Sequence, residues 1–204
     1  MGHTARRVLV LLAAVAACRH QSLRWAVTDQ EVSEPLPGDG LLPMADLTAT
    51  RAISINVGPT GVWPWLVQIG QGRGGFYSYE ILENLVGRAD IHNADHVVPD
   101  WQELHVGDQV RLHPEVSLVV ADLEVGTSLV LRGGVPMGQV AAPYDFTWAF
   151  CLRTQDDGST RLLVRERYAY TRWWARPLVE GVSIVSFVMT HRMLRGIKVR
   201  AERT

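Results

Sequence analysis

The chain has little of what builds chemistry in clusters. Its 204 residues hold two cysteines, Cys18 and Cys151, far apart and with no C-x-x-C. A disulfide framework, a dithiol redox centre and a structural zinc site are therefore not indicated. Charge of one sign is not in excess either: the formal net charge is −1, which gives no reason to expect nucleic acid as a partner. Disorder is excluded by composition, 47% hydrophobic against 20% charged, and the length suits one packed domain plus an arm.

The N-terminus also falls short of a membrane span. Arg6-Arg7 precede the apolar run Val8 to Cys18, 11 residues, where a spanning helix takes about 20. The run has the length of a signal-peptide core, and Val15-Ala16-Ala17-Cys18 has the form of a lipobox. Arg19, His20 and Arg24 follow at once and oppose translocation. Residues 1–24 thus read as a membrane-proximal or packing helix, with a cleaved or lipidated signal as the alternative. Cytoplasmic or membrane-associated placement is favoured over an exported lipoprotein.

What is present is a run made for lining a space. Val62-Trp63-Pro64-Trp65-Leu66-Val67 leads into a glycine cluster, Gly70 to Gly75, and then into Phe76-Tyr77-Ser78-Tyr79. No group of acid, base and nucleophile accompanies it. The chain looks like a container for an apolar ligand before it looks like a catalyst.

Residues 25–48, dense in turn formers from Glu34 to Gly40, read as an extended arm, and 49–204 as the main domain. Arg51 to Val57 alternates, with Ile53, Ile55 and Val57 on one side, as a half-buried strand does. After Gly58-Pro59 a short helix carries Trp63 and Leu66, its start placed near Gly61 so that Pro64 falls in the first turn. Tyr77 to Val86 suits a second helix closed by Gly87. Short strands follow at Gln109–Leu112, Ser117–Leu123 and Thr127–Arg132.

The best-defined element is a hairpin. Phe146, Trp148, Phe150 and Leu152 share one face of its first strand; Leu162, Val164, Tyr168 and Tyr170 share one face of the second. A three-residue loop with Gly158 left-handed pairs Leu152 with Leu162 and Phe150 with Val164, whereas a two-residue turn mixes the faces. From about Pro177 one long helix presents Leu178, Val182, Val185, Met189, Met193 and Ile197 as a stripe toward the sheet. The expected class is α+β, with a curved antiparallel sheet wrapped around the final helix.

These stretches carry a resemblance. Leu23-Arg24-Trp25-Ala26-Val27-Thr28, Leu36-Pro37-Gly38-Asp39, Trp63-Pro64-Trp65-Leu66-Val67-Gln68, Gly72-Arg73-Gly74-Gly75-Phe76-Tyr77-Ser78-Tyr79 and Arg195-Gly196-Ile197-Lys198 resemble the START-like (SRPBCC) superfamily. The nearest likeness is to a bacterial polyketide cyclase-like branch. The resemblance implies a helix-grip fold whose cavity, between sheet and last helix, holds a hydrophobic small molecule or lipid; the alternatives are a polyketide cyclase- or dehydratase-like enzyme using Glu166 and a cavity tyrosine as acid–base groups, and a membrane-associated scaffold without a ligand. The fuller N-terminal membrane segment common in that branch is shortened here.

The residues that would line such a cavity are Trp63, Leu66, Tyr77, Trp148, Phe150, Val164, Glu166, Tyr168, Val185 and Met189. Glu166 stands out, because the preferred register sets a carboxylate on the apolar face opposite Trp148. It either anchors a ligand hydroxyl, acts as a general acid or base with Tyr168 or Tyr77, or turns to solvent or to Arg165 or Arg167. Gly70, Gly72 and Gly75 spell G-x-G-x-x-G, but without the strand before and helix after that a dinucleotide needs. They suit a mobile loop at a cavity mouth, with Arg73 facing a ligand head or water. His92, His96, His105 and His113 read as surface histidines. No cofactor or metal is expected, and Arg172-Trp173-Trp174-Ala175-Arg176 is a candidate membrane-interface patch. Oligomeric state is not legible.

Overall fold

The computed structural model describes residues 3–80, 91–134 and 142–203. Among them, six strands form one curved antiparallel sheet: β1 Leu47–Ile55, β2 Gln109–His113, β3 Val116–Glu124, β4 Ser128–Gly133, β5 Tyr144–Thr154 and β6 Thr160–Tyr170. Their spatial order is β1-β6-β5-β4-β3-β2, so the first strand closes against the last. Helix α1 spans His3–Leu23, α2 Asp29–Ser33, α3 Pro59–Val67 and α4 Ala175–Ala201. Helix α4 lies across the concave face, with α3 packed on it and on β5.

The hairpin register is the one the alternation demands. Leu152 pairs with Leu162, Phe150 with Val164 and Trp148 with Glu166. Gly158 is left-handed at φ 78°, and Gln155 N–H donates to the Ser159 carbonyl at 2.8 Å, closing the three-residue loop. Slipping by one residue would turn every apolar side chain to the other face.

Several elements differ from expectation for local reasons. Strand β1 begins at Leu47, because the residues before Arg51 pair with β6 as well. Helix α3 starts at Pro59, which takes the first helical position, so Pro64 sits inside a nine-residue helix. Tyr77 does not open a helix, since its φ is +55°; of the expected segment Glu80 is helical, and residues 81–87 lie outside the described residues. In α4 the buried face of the N-terminal half is Val179, Ser183 and Thr190, while Val182 and Val185 are exposed. The expected stripe holds only from Met193 and Ile197 onward.

The arm is a covering layer on the outer face of the sheet. Outward positions of β6 are Arg161, Leu163, Arg165 and Arg167, alternating with the inward Leu162, Val164, Glu166 and Tyr168. Arg165, 3% exposed, donates to Thr50 Oγ1, Asp39 Oδ2 and the carbonyls of Glu31, Val32 and Glu34 at 2.6–3.0 Å. Arg161 holds Glu31 at 2.7 Å, Arg153 holds Glu34, and Arg167 reaches the carbonyls of Leu42 and Pro43. Thr28 and Glu31 form a reciprocal capping box that makes α2. Beneath the arm, Leu36, Ala52, Val130, Ala149, Cys151 and Leu163 form a second apolar cluster. Gly38 closes that contact: its φ is +87°, and a Cβ there would meet Val130 Cγ1 at 2.6 Å. The Cys151 thiol, buried in this cluster, is pushed up to about 12.

The outer face is thus covered along β1, β6 and β5, and Arg165 is the centre of that seal. Replacing it by alanine (Arg165→Ala) takes the closer of two cations from Asp39 and the side-chain donor from the carbonyls of Glu31, Val32 and Glu34, so stability should fall by about 3 kcal/mol. Urea denaturation measures this, and proteolysis between residues 25 and 46 should become early.

The Glu31 carboxyl is partly buried, which opposes ionisation, but hydrogen bonds from Arg161 and Thr28 outweigh this and hold it below its ordinary 4.5. A depressed folded value gives stability that is present above 4.5 and lost as pH falls through the folded value. Thermal midpoints should therefore drop more steeply on acidification below 4.5 in the wild type than in Glu31→Gln. Equal slopes would show that this staple adds nothing.

Candidate functional site

Between the concave face and α4 lies a polar knot inside an apolar core. Glu166 on β6 and Arg51 on β1 are both fully buried, and Arg51 Nη1 donates to Glu166 Oε1 at 2.8 Å. Ser186 Oγ lies 2.7 Å from both carboxylate oxygens, Thr190 Oγ1 donates to Oε1 at 3.0 Å, and Tyr168 O–H donates to Oε2 at 3.2 Å. Arg51 Nε donates to the Ser22 carbonyl at the end of α1, 2.9 Å away, and the guanidinium lies 5.6 Å from the centre of the Phe187 ring. Burial first, and then the facing Glu166 charge, pushes the Tyr168 phenol well above its ordinary range. A charge pair buried this deeply is tolerable only when its lone pairs and protons are met, which the α4 hydroxyls do for the carboxylate.

The lining of this interior is not uniformly buried. Trp148, opposite Glu166 on central strand β5, is only half-buried, as are Ser186 and Met189 on the facing helix. The Trp148 ring packs against Phe150 and Phe76, with centroids 4.8 and 6.3 Å away. Its Nε1–H is buried without an acceptor, as is Nη2 of Arg51, among the described residues. Aromatic rings, a polar floor and two spare hydrogen-bond donors are thus gathered in one region between sheet and helix.

The expected site residues divide. Trp148, Glu166 and Tyr168 lie on the inner face of the sheet and Met189 on α4, half-buried, with its sulfur 3.5 Å from Ser78 Oγ; Phe150 and Val164 are fully buried core. Leu66 is fully buried and Trp63 half-buried on α3. Tyr77 stands apart, its O–H donating to the Trp65 carbonyl at 3.1 Å and its ring 5.0 Å beneath Arg200. Gly196 of α4 packs against Tyr77 so closely that a Cβ would meet the Tyr77 carbonyl oxygen at 2.2 Å. Tyr77 therefore does not converge with Glu166. Val185 is 57% exposed on the outside of α4 and lines nothing.

Glu166 is neither turned to solvent nor paired with Arg165 or Arg167. Its partner is Arg51, and the signal for it was available, since Arg51 shares the strand face of Ile53 and Ile55. Ser183, Ser186 and Thr190, at helical spacing, mark the polar face of α4 in the same way.

The remaining motifs are structural. Gly70 and Gly75 exchange two backbone bonds at 3.0 and 3.1 Å, folding the glycine cluster into a closed turn. Arg73 is half-buried and donates to the Trp101 carbonyl. His96 pairs with Asp95 on the surface. Ala149, on the outer face of β5, lies under the arm and is not a free surface position.

No model of a known family matches the chain, and no curated protein matches it in sequence. Solved structures do. A hypothetical protein of Helicobacter pylori superposes with a TM-score of 0.50 at 12% identity, covering 86% of this chain and 99% of its own. A protein of Mesorhizobium loti gives 0.47 at 15% identity, covering 78% and 98%, and Ara h 8.0201 gives 0.44 at 12%, covering 78% and 99%. The fold is α+β, a six-stranded curved antiparallel sheet with a long C-terminal helix.

The ion pair yields a sharp stability test. Glu166→Gln leaves Arg51 buried and unpaired, so unfolding free energy should fall by about 3–5 kcal/mol. The double replacement Arg51→Met with Glu166→Leu should recover most of that loss. Urea titration of the two variants decides, and equal losses would show that the pair is not coupled.

Proposed function

We propose that this protein binds a small apolar or amphipathic molecule between the concave face of its sheet and α4. One observation carries the reading: Trp148, Ser186 and Met189, on facing surfaces of sheet and helix, are all left half-buried in an otherwise dry core. Aromatic walls with a few convergent polar groups suit such a ligand. The free Trp148 Nε1–H favours one bearing a carbonyl, ether or hydroxyl oxygen. The START-like resemblance of the sequence supports the same use of this region.

Within that resemblance the carrier reading is preferred to the cyclase reading. Both oxygens of Glu166 already accept hydrogen bonds from Arg51, Ser186, Thr190 and Tyr168, so the carboxylate is a built floor and not a free base. Tyr77 is too far engaged elsewhere to act with it.

Native mass spectrometry of freshly purified protein, followed by organic extraction, tests the reading. A reproducible small-molecule mass is expected. Met189→Trp should crowd this region and weaken binding of the extracted compound, or of an apolar fluorescent probe, at least about tenfold, roughly 1.4 kcal/mol. Its thermal midpoint should stay close to wild type. A clean apo mass, with probe binding absent or indifferent to Met189→Trp, would end the proposal.

A further inference from the structure

The largest unexplained feature lies outside the core. Apolar side chains on α1 stand in solvent, Leu9, Val10, Leu11 and Val15 being 53–65% exposed. On α4, Ile184 and Val185 are 62% and 57% exposed, with Val182 and Val188 beside them at 38% and 41%. Just before α4, Trp173 is 93% exposed. An indole and two aliphatic helix faces left in water need a reason.

The two helices share one side of the molecule. Arg19 of α1 binds Glu180 and donates to Ser183 of α4. Ser22, further along α1, is joined through Arg51 to Glu166 and the ring of Phe187. Helices α1 and α4 therefore ascend side by side in the same direction. Leu11 lies eight residues below Arg19, about 12 Å along the axis, which brings it level with the start of α4 and Trp173.

Charge on this side is mainly basic. No acid occurs before Asp29, and none between Thr171 and Val179. The same two segments hold Arg6, Arg7, Arg19, Arg24, Arg172 and Arg176, in a chain whose net charge is −1. Arg6, Arg7, Arg172 and Arg176 are all exposed. Arg19 is paired with Glu180 and Arg24 with Asp29, so the net positive charge of this side rests on Arg6, Arg7, Arg172 and Arg176. Among the described residues no helix is long and apolar enough to cross a membrane.

We infer that the α1–α4 side is a docking surface for an anionic lipid bilayer, engaged at headgroup depth without spanning it. Leu9, Val10, Leu11 and Val15 enter the interface, Trp173 sits at the boundary, and the arginines meet lipid phosphates. A second copy of the chain is disfavoured as the occupant, because it would bring the same uncompensated arginines against themselves.

Co-sedimentation of the full chain with vesicles tests this, using phosphatidylcholine alone and phosphatidylcholine mixed with phosphatidylglycerol. Binding to the mixed vesicles should be at least about tenfold tighter and should weaken with salt. Removing an arginine, as in Arg6→Gln or Arg172→Gln, should cost about fivefold each. Trp173→Ala should cost about tenfold, while Val125→Ala, exposed on the far β3–β4 turn, should change nothing. All four variants alter exposed side chains, and an unchanged thermal midpoint verifies folding. Equal binding to both vesicles, or binding indifferent to Trp173→Ala and Arg172→Gln, would overturn the proposal. So would absence of vesicle binding together with a concentration-dependent dimer in sedimentation velocity that Trp173→Ala abolishes.

Discussion

A full positive charge and a full negative charge, buried together where the sheet meets its long helix, set the terms for everything around them. Arg51 and Glu166 come from β1 and β6, the first and last strands, which are neighbours in the sheet. Their partners come from α1 and α4. Four elements far apart in sequence thus share one electrostatic obligation. An interior of low dielectric makes such a pair strong when complete and very costly when not. That explains why the N-terminal half of α4 turns serines and a threonine inward and valines outward, against the ordinary rule for an amphipathic helix. The exposed apolar surface on α4 is in this sense a by-product of the polar knot, one available for use in binding.

The outer face obeys a complementary logic. A sheet gripped by one helix would normally show its other side to water. Here the arm lies on that side, pinned by Arg153, Arg161, Arg165 and Arg167 to Glu31, Glu34, Asp39 and a series of carbonyls. Arginine suits this work because its planar fork serves several acceptors at once. The arm also closes the sheet edge, since Trp25 accepts the outward N–H of Ala52 on β1.

Much of this was legible in the sequence. Alternation along 146–152 and 162–170 was enough to set the hairpin register to the residue, because a slip has a large penalty. The place of Glu166 on the inner face followed from the same argument. The inward face of Arg51 was legible too, from the parity it shares with Ile53 and Ile55, but its meeting with Glu166 was not, because pairing β1 with β6 is a long-range event that no local period encodes. The stripe on α4 was misplaced for a related reason. Valines at 182 and 185 outvote Ser183, Ser186 and Thr190 in any count of hydrophobicity, yet a buried carboxylate reverses the vote. The arm was recognised as irregular chain. Its docking was not, since its bonds run largely through backbone carbonyls, which carry no side-chain signature.

Strand β6 brings the two halves of this design into direct contact. Arg165 and Glu166 are adjacent in the chain, but one belongs to the outer seal and the other to the inner knot. Insertion or deletion of a single residue upstream in β6 would exchange their destinations, presenting an arginine to Arg51 and a glutamate to Asp39. Like charges would then meet on both faces of the sheet at once. The strand is therefore a reading frame written in charge, and this protein guards its register by making the nearest wrong alignment repulsive on two sides.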